Sequence, residues 1–531
     1  MKNIHGLLLA GCSALTLAGC GAEDIASPGT GGNITINNPA PAPTPTPTAT
    51  GGTVTAAAGC PTVAGPDALV NDGTITGPTG TWRVCSLPSR VKTSLTLPKV
   101  AGVLYQLNGR TDVGCDGGFN VPTAAAPFTS STVGCTTPLT ADTAVTLTIE
   151  PGVILFGATG QSWLAVNRGN RISAIGSSTR PIVITSRDNV LGLNSDSSQG
   201  QWGGVVLMGR ARTTDCTTGT VAANTCERQT EGSADPARFG GTNDADNSGR
   251  MSFVQIRYSG FILGANVELQ ALTTEAIGSG TVLDHIQSHN SSDDGAEFFG
   301  GSVNLKHYIA TGADDDSLDV DTGAQMNVQY ALLLPRATRG DALMEIDSNG
   351  NEADTPRTTL RVANFTAIQP QVSSDNEAAD QAATLFRGNS DTTLINGILL
   401  APNNECIRMN ASGTTPATLT ARSVVLQCNA AKFIGSGNYT AAQVAGFFGS
   451  GANGNNDAFT PTLSSLFING TNETGAAAFD PRTLSTFFDT TTWIGAVRNS
   501  GDNWYSGWTC NSATADFGSG NSGACTSLPT T

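Results

Sequence analysis

Three stretches decide the fold: MSFVQIRYSG (251–260), LDHIQSHN (283–290) and LKHYIATG (305–312). Each fits one template, an apolar residue followed three, five and seven positions later by residues pointing the same way. The positions are Met251, Val254, Ile256 and Tyr258, then Leu283, Ile286, Ser288 and Asn290, then Leu305, Tyr308, Ala310 and Gly312. The last three alternate, as a half-buried strand requires. Looser copies begin at Val328, Val362, Leu394 and Ala421, so the starts are separated by 32, 22, 23, 34, 32 and 27 residues. A minimum near 22 with longer variants is expected of a parallel β-helix, whose coils of three short strands take insertions at one turn. The competing reading is a β-sandwich or a propeller, and the irregular spacing weakens the propeller, whose blades would recur more evenly. The reading is all-β: a single-stranded, right-handed parallel β-helix with a capping C-terminal segment. Segments 147–157, 163–176 and 180–188 read as its first coils.

Composition agrees. Gly supplies 63 of 531 residues and charged residues only 13%, which suits strands broken by turns and not helical bundles. The net charge of −16, with no basic cluster, argues against nucleic acid, whose binding is driven by clustered Lys and Arg.

The N-terminus reads as an export signal. Lys2 precedes an apolar run from Gly6 to Gly19 that is too short to span a bilayer. The run ends in Leu17-Ala18-Gly19-Cys20, which resembles the lipobox of bacterial lipoproteins. The resemblance implies cleavage between Gly19 and Cys20, with Cys20 acylated as the first mature residue. An earlier copy, Leu9 to Cys12, would leave too short an apolar region. Gly21 in place of Asp implies sorting to the outer membrane, so the expected partner is a membrane, reached through a lipid anchor on the cell surface of a Gram-negative bacterium. Prolines at 39, 41, 43, 45 and 47 favour an extended spacer. The expected organisation is signal 1–20, tether 21–59, disulfide-containing cap 60–140, β-helix 141–430 and C-terminal cap 431–531. In the last, Thr440 and Gln443 form a capping box, and an aromatic cluster from Leu484 to Trp508 is expected to cover the solenoid's open end or to serve as a carbohydrate platform.

Ten mature cysteines remain: Cys60, Cys85, Cys115, Cys135, Cys216, Cys226, Cys406, Cys428, Cys510 and Cys525. None forms CxxC, so disulfides are expected over zinc, with sequential neighbours paired.

The runs LTIEPGVILFG, PIVITS, WGGVVLMG, DDGAEFFGG and DDDSLDVDTG resemble a group of secreted and lipid-anchored bacterial right-handed parallel β-helix proteins. More distantly they are similar to pectate lyases and polygalacturonases, which implies a polysaccharide-facing groove by analogy alone.

Chemistry centres on acids. Asp293 and Asp294 precede Asp315 and Asp316 by 22 residues, the repeat interval, so they stack about 4.8 Å apart on successive coils. Asp314, Asp319, Asp321 and Glu297 lie close by. Such a ladder takes up protons, holds a hard cation such as Ca²⁺, or consists of solvated turn aspartates. Asp244 and Asp246 open a second D-x-D-x-S-G loop like a calcium loop, but Gln255 replaces the closing Glu. Catalysis by paired carboxylates, as in a polysaccharide lyase or glycoside hydrolase, stays an alternative, yet the GHG signature is absent, R-x-K occurs only as Arg90-Val91-Lys92, some two hundred positions before the Asp ladder, and Asp284-His285 lacks the Trp of W-x-D-H. His285 and His307, 22 residues apart, are expected to stack. The favoured function is a surface-anchored binding protein, calcium-stabilised and glycan-facing; a structural envelope or adhesion role is the third reading.

Overall fold

The computed structural model describes residues 54–530, apart from 232, 234, 235, 265, 266, 349–351, 373–381, 412, 413, 520 and 521. Cys20 and the proline tract lie outside them. All seven template starts fall into one register column: Met251 pairs with Leu283, Leu283 with Leu305, Leu305 with Val328, Val328 with Val362, Val362 with Leu394 and Leu394 with Ala421, all in parallel. The chain is therefore a parallel β-helix. A second parallel sheet carries Leu272–Glu275, Ala296–Phe299, Asp319–Asp321 and Met344–Ile346 side by side.

Each long strand of the first sheet bends once. Phe253, His285, His307, Tyr330, Asn364, Asn396 and Ser423 all have φ between 51° and 64° and occupy equivalent places in successive coils. That backbone costs an L-residue roughly 1–2 kcal/mol. Stacking helps to offset it: the rings of Phe253, His285, His307 and Tyr330 follow one another at 4.1, 4.1 and 4.9 Å. The expected histidine stack is thus one part of a longer ladder. Asn364 and Asn396, of a type suited to this region, continue it. The bend divides each strand into two limbs, and with the second sheet these make three faces around one apolar core that runs from Cys85 to Phe448.

The boundaries differ from expectation. Parallel pairing begins at Gly80–Ser86 with Val103–Leu107, so part of the expected N-terminal cap is already solenoid. Residues 54–59 are not tether: Val54 bridges Gly80, and Ala57 N–H donates to Gly102 O at 3.2 Å. At the far end the helix Ala441–Phe448 forms with the expected capping box and buries Val444 and Phe448 on the last coil.

The late aromatic cluster does not cover that end. Past Asn456, which bridges Val425, the chain runs back along the outside of the first sheet. Asn396 and Asn364 bond Phe479 and Trp493 main-chain groups, Gln287 bonds Cys510, and Arg257 bonds Cys525 and Ser527 carbonyls. The reason is apolar surface: Ile309, Leu332, Leu334 and Ile398 face outward from the second limbs and are covered by Phe467, Ile494, Tyr505 and Trp508. Tyr505 and Trp508 are buried and so cannot stack on a carbohydrate, while Phe487, Trp493 and Trp504 stay partly exposed. The five disulfides join sequential neighbours, 60–85, 115–135, 216–226, 406–428 and 510–525. Among the described residues no helix is long and apolar enough to cross a membrane.

Candidate metal centre

Side chains alternate along the second sheet, so Leu318 and Val320 enter the core and Asp319 and Asp321 point outward. Register repeats this on neighbouring coils: Glu297 pairs with Asp319 and Asp319 with Glu345. Three consecutive strands therefore present carboxylates in one column. The turn before each strand adds more. Asp294 accepts from Asp316 N–H at 2.9 Å, and Asp316 accepts from Ala342 N–H at 2.7 Å, so the same turn geometry is copied from coil to coil.

Three carboxylate triads result: Asp293, Asp294 and Asp315; Asp294, Glu297 and Asp319; Asp315, Asp316 and Asp341. Within each, one oxygen per residue lies within 4.8 Å of the others. Asp294 and Asp315 are shared, which makes the triads contiguous. The expected stacking of Asp293 and Asp294 on Asp315 and Asp316 is thus observed. Asp314 leaves the ladder and pairs with Arg336 and Gln199. Asp321 lies outside the three triads, on the flank of the column beside Asp347.

The electrostatics are unfavourable for an empty, ionised site. Burial, reinforced by Asp293, Asp319 and Asp315, pushes the Asp294 carboxyl well above the usual range. Burial together with Asp319 and Asp294 does the same to Glu297, and burial with Glu345 and Asp315 to Asp316. Asp319 keeps some surface in water, but the protein packed around it and the charges of Asp321 and Glu345 raise it too. Asp319 Oδ1 is buried and meets no protein donor. Arg387 reaches Glu345 at 2.7 Å and Asp347 at 3.3 Å, at the edge of the column. Among the described residues no Lys or Arg pairs with Asp294, Glu297, Asp316 or Asp319. Clustered carboxylate oxygens on separate main-chain segments are the donor set that Ca²⁺ takes.

The pattern matched is that of the family described as "Pectate-lyase like beta helix domain", over residues 129–509. The chain belongs to that family. No curated protein and no solved structure matches it. As a member of the pectate-lyase-like β-helix family it keeps the solenoid, with its acids on three coils of the second sheet.

Asp244 and Asp246 do not join this centre. Arg212 grips the Asp244 carboxylate, at 2.9 Å from Nε and through its terminal nitrogen, and with its own N–H at 3.2 Å. Although burial opposes it, this clamp holds Asp244 below the usual range, so the loop already has its cation. His285 and His307 both approach Asp284 Oδ1 through Nδ1, at 2.9 and 2.8 Å. Their rings are stacked at 4.1 Å, and the two nitrogens and the carboxylate oxygen lie within 4.8 Å of one another, so the same three residues form either a hydrogen-bonded stack or a small ligand group apart from the carboxylate column.

Asp341, Glu345 and Asp347 escaped the sequence reading. The signal was present, since Met344-Glu345-Ile346-Asp347 repeats the pattern of Leu318-Asp319-Val320-Asp321. It recurs after 26 residues, because an insertion in the preceding turn breaks the shorter interval. Glu275 was also missed. It is fully buried and accepts from Thr230 at 2.7 Å, and burial pushes it up to about 8.

Proposed function

We propose that the protein is a lipid-anchored outer-membrane surface protein whose carboxylate column holds Ca²⁺ across three coils, stiffening a β-helix that faces envelope glycans. One observation carries the calcium reading: the three contiguous triads, in which burial and neighbouring carboxylates leave Asp294, Glu297, Asp316 and Asp319 poorly stabilised without protons or cations. Residues Asp293, Asp294, Glu297, Asp315, Asp316, Asp319 and Asp341 would supply the oxygens. The lipobox-like end at Cys20 supports the anchor.

Calcium binding to the native state raises stability by RT ln(1 + [L]/Kd), about 2.7 kcal/mol per site at 100-fold saturation. Differential scanning calorimetry with Ca²⁺ and then with chelator tests the reading. A higher melting temperature in Ca²⁺, lost in Asp294→Asn and Asp319→Asn, supports it. Identical melting in both solutions overturns it.

A further inference from the structure

The ring ladder at the strand bends contains two imidazoles where plain aromatic rings would stack as well. Phe253 and Tyr330 hold the equivalent place on the coils before and after, with the same positive φ, so neither stacking nor the backbone calls for histidine. The residues that precede the bend on these four coils are Ser252, Asp284, Lys306 and Gln329. The single carboxylate among them thus stands at the histidine pair.

Asp284 Oδ1 lies 2.8 Å from His307 Nδ1 and 2.9 Å from His285 Nδ1. The contact with His307 is a hydrogen bond. His285 Nδ1 is buried and finds no hydrogen-bond partner, so a purely hydrogen-bonded stack leaves one of the two nitrogens unused. Lys306 turns away to Asp489, at 2.8 Å. Burial, against the pull of Asp284, holds the His307 imidazole below its usual range. At neutral pH it is therefore uncharged with a lone pair to give, the form in which imidazole ligates metal. The three side chains keep between 14% and 25% of their surface exposed, so a hydrated ion can reach them.

We propose that Asp284, His285 and His307 form a transition-metal site that takes Cu²⁺ or Ni²⁺. Donor atoms bound at about 2.0–2.1 Å stand roughly 2.9 Å apart when they meet the metal at a right angle, and roughly 3.3 Å apart in a tetrahedron. Both nitrogen–oxygen separations fit the right angle, and tetragonal nitrogen and oxygen sets suit Cu²⁺ and Ni²⁺, whereas Zn²⁺ favours the tetrahedron. The ion would tie the strand Val282–His289 to the strand Ser302–Thr311, with water completing its coordination. The site shares no residue with the carboxylate column and does not depend on calcium.

Tryptophan fluorescence tests it. Trp504 lies 5.1 Å from the His307 ring and Trp508 5.5 Å from the His285 ring, centroid to centroid, so a paramagnetic ion bound here quenches both. Cu²⁺ or Ni²⁺ titrated at neutral pH into the mature, disulfide-bonded protein, with excess Ca²⁺ competing at the carboxylate column, should quench saturably near one equivalent, and EDTA should reverse it. Electron paramagnetic resonance of the Cu²⁺ form should show two imidazole nitrogens. His307→Phe keeps a ring in the stack, as Phe253 does, but removes a ligand; Asp284→Asn keeps the side-chain shape and removes the charge. Each should weaken Cu²⁺ binding by about tenfold or more, since losing even a supporting partner does so at metal sites, and unchanged melting without metal checks each fold. Absence of saturable quenching overturns the proposal, as does quenching that both variants retain or a Cu²⁺ spectrum without imidazole nitrogen.

Discussion

Replacing Asp294 with Asn should have opposite effects on stability in chelator and in calcium. The change keeps an Oδ1 that can accept from Asp316 N–H, now 2.9 Å away, and removes one charge. Asp294 belongs to two triads whose oxygens lie within 4.8 Å. At that separation two full charges repel by roughly 3.5 kcal/mol at an effective dielectric constant of about 20. Protonation among the raised carboxyls of Asp294 and Asp319 reduces this, so Asp294→Asn in chelator should stabilise the fold by about 1–3 kcal/mol. For a unit running from Gly51 to Thr531, the unfolding entropy is on the order of 1 kcal/mol per degree, so the melting temperature should rise by about 1–3 °C. In saturating Ca²⁺ the same variant loses a ligand and should melt below the wild type. Calorimetry of both proteins in both solutions reads all four values. A variant less stable than wild type in chelator would show that the carboxylates do not repel, and equal behaviour in calcium would show that Asp294 ligates nothing.

Further outcomes follow from the same geometry. Without metal, the raised carboxyls of Asp294, Glu297, Asp316 and Asp319 bind protons in the fold that the unfolded chain releases near pH ~4. Their stabilising contribution is full below that pH and is lost as pH rises through the folded values. Melting in chelator should therefore fall from mildly acidic to mildly alkaline pH, and calcium should flatten the slope; a flat profile in chelator contradicts the electrostatics. Trp508→Ala, which empties a fully buried site against the first sheet, should cost about 3–5 kcal/mol, and early proteolysis of the C-terminal segment should reveal it. Cys20→Ala should shift the protein from membrane to soluble fractions, whereas a variant still membrane-bound beside an unmodified wild-type N-terminus would refute the anchor. Unreduced mass analysis should find no alkylatable thiol among the ten mature cysteines.

Much of the fold was legible because the template positions face the core, where register leaves no freedom. Met251, Leu283 and Leu305 had to stack, since a one-residue slip would turn each apolar set outward. Asp294 and Asp316 inherited that register, which is why their stacking could be read from an interval. The returning C-terminal segment was not legible. Its partners are outward residues such as Ile309 and Leu332, whose apolar character in a strand looks the same whether it meets a neighbour or the core. The bends at Phe253, His285 and Tyr330 were hidden for another reason. Ring stacking holds these residues at positive φ, while local preference favours Asn, found only at Asn364 and Asn396. The Asp244 loop misled because D-x-D-x-S-G is also the chemistry of a tight turn, and Arg212, 32 positions away, leaves no local mark.

The most direct test titrates Ca²⁺ into chelator-washed protein at neutral pH by isothermal calorimetry in two buffers of different ionisation heat. The account predicts saturable binding with protons released, as the cation displaces them from Asp294, Glu297, Asp316 and Asp319, and loss of both signals in the Asp294→Asn, Asp319→Asn double variant. Absence of binding, or binding that the double variant retains in full with no proton release, would contradict it.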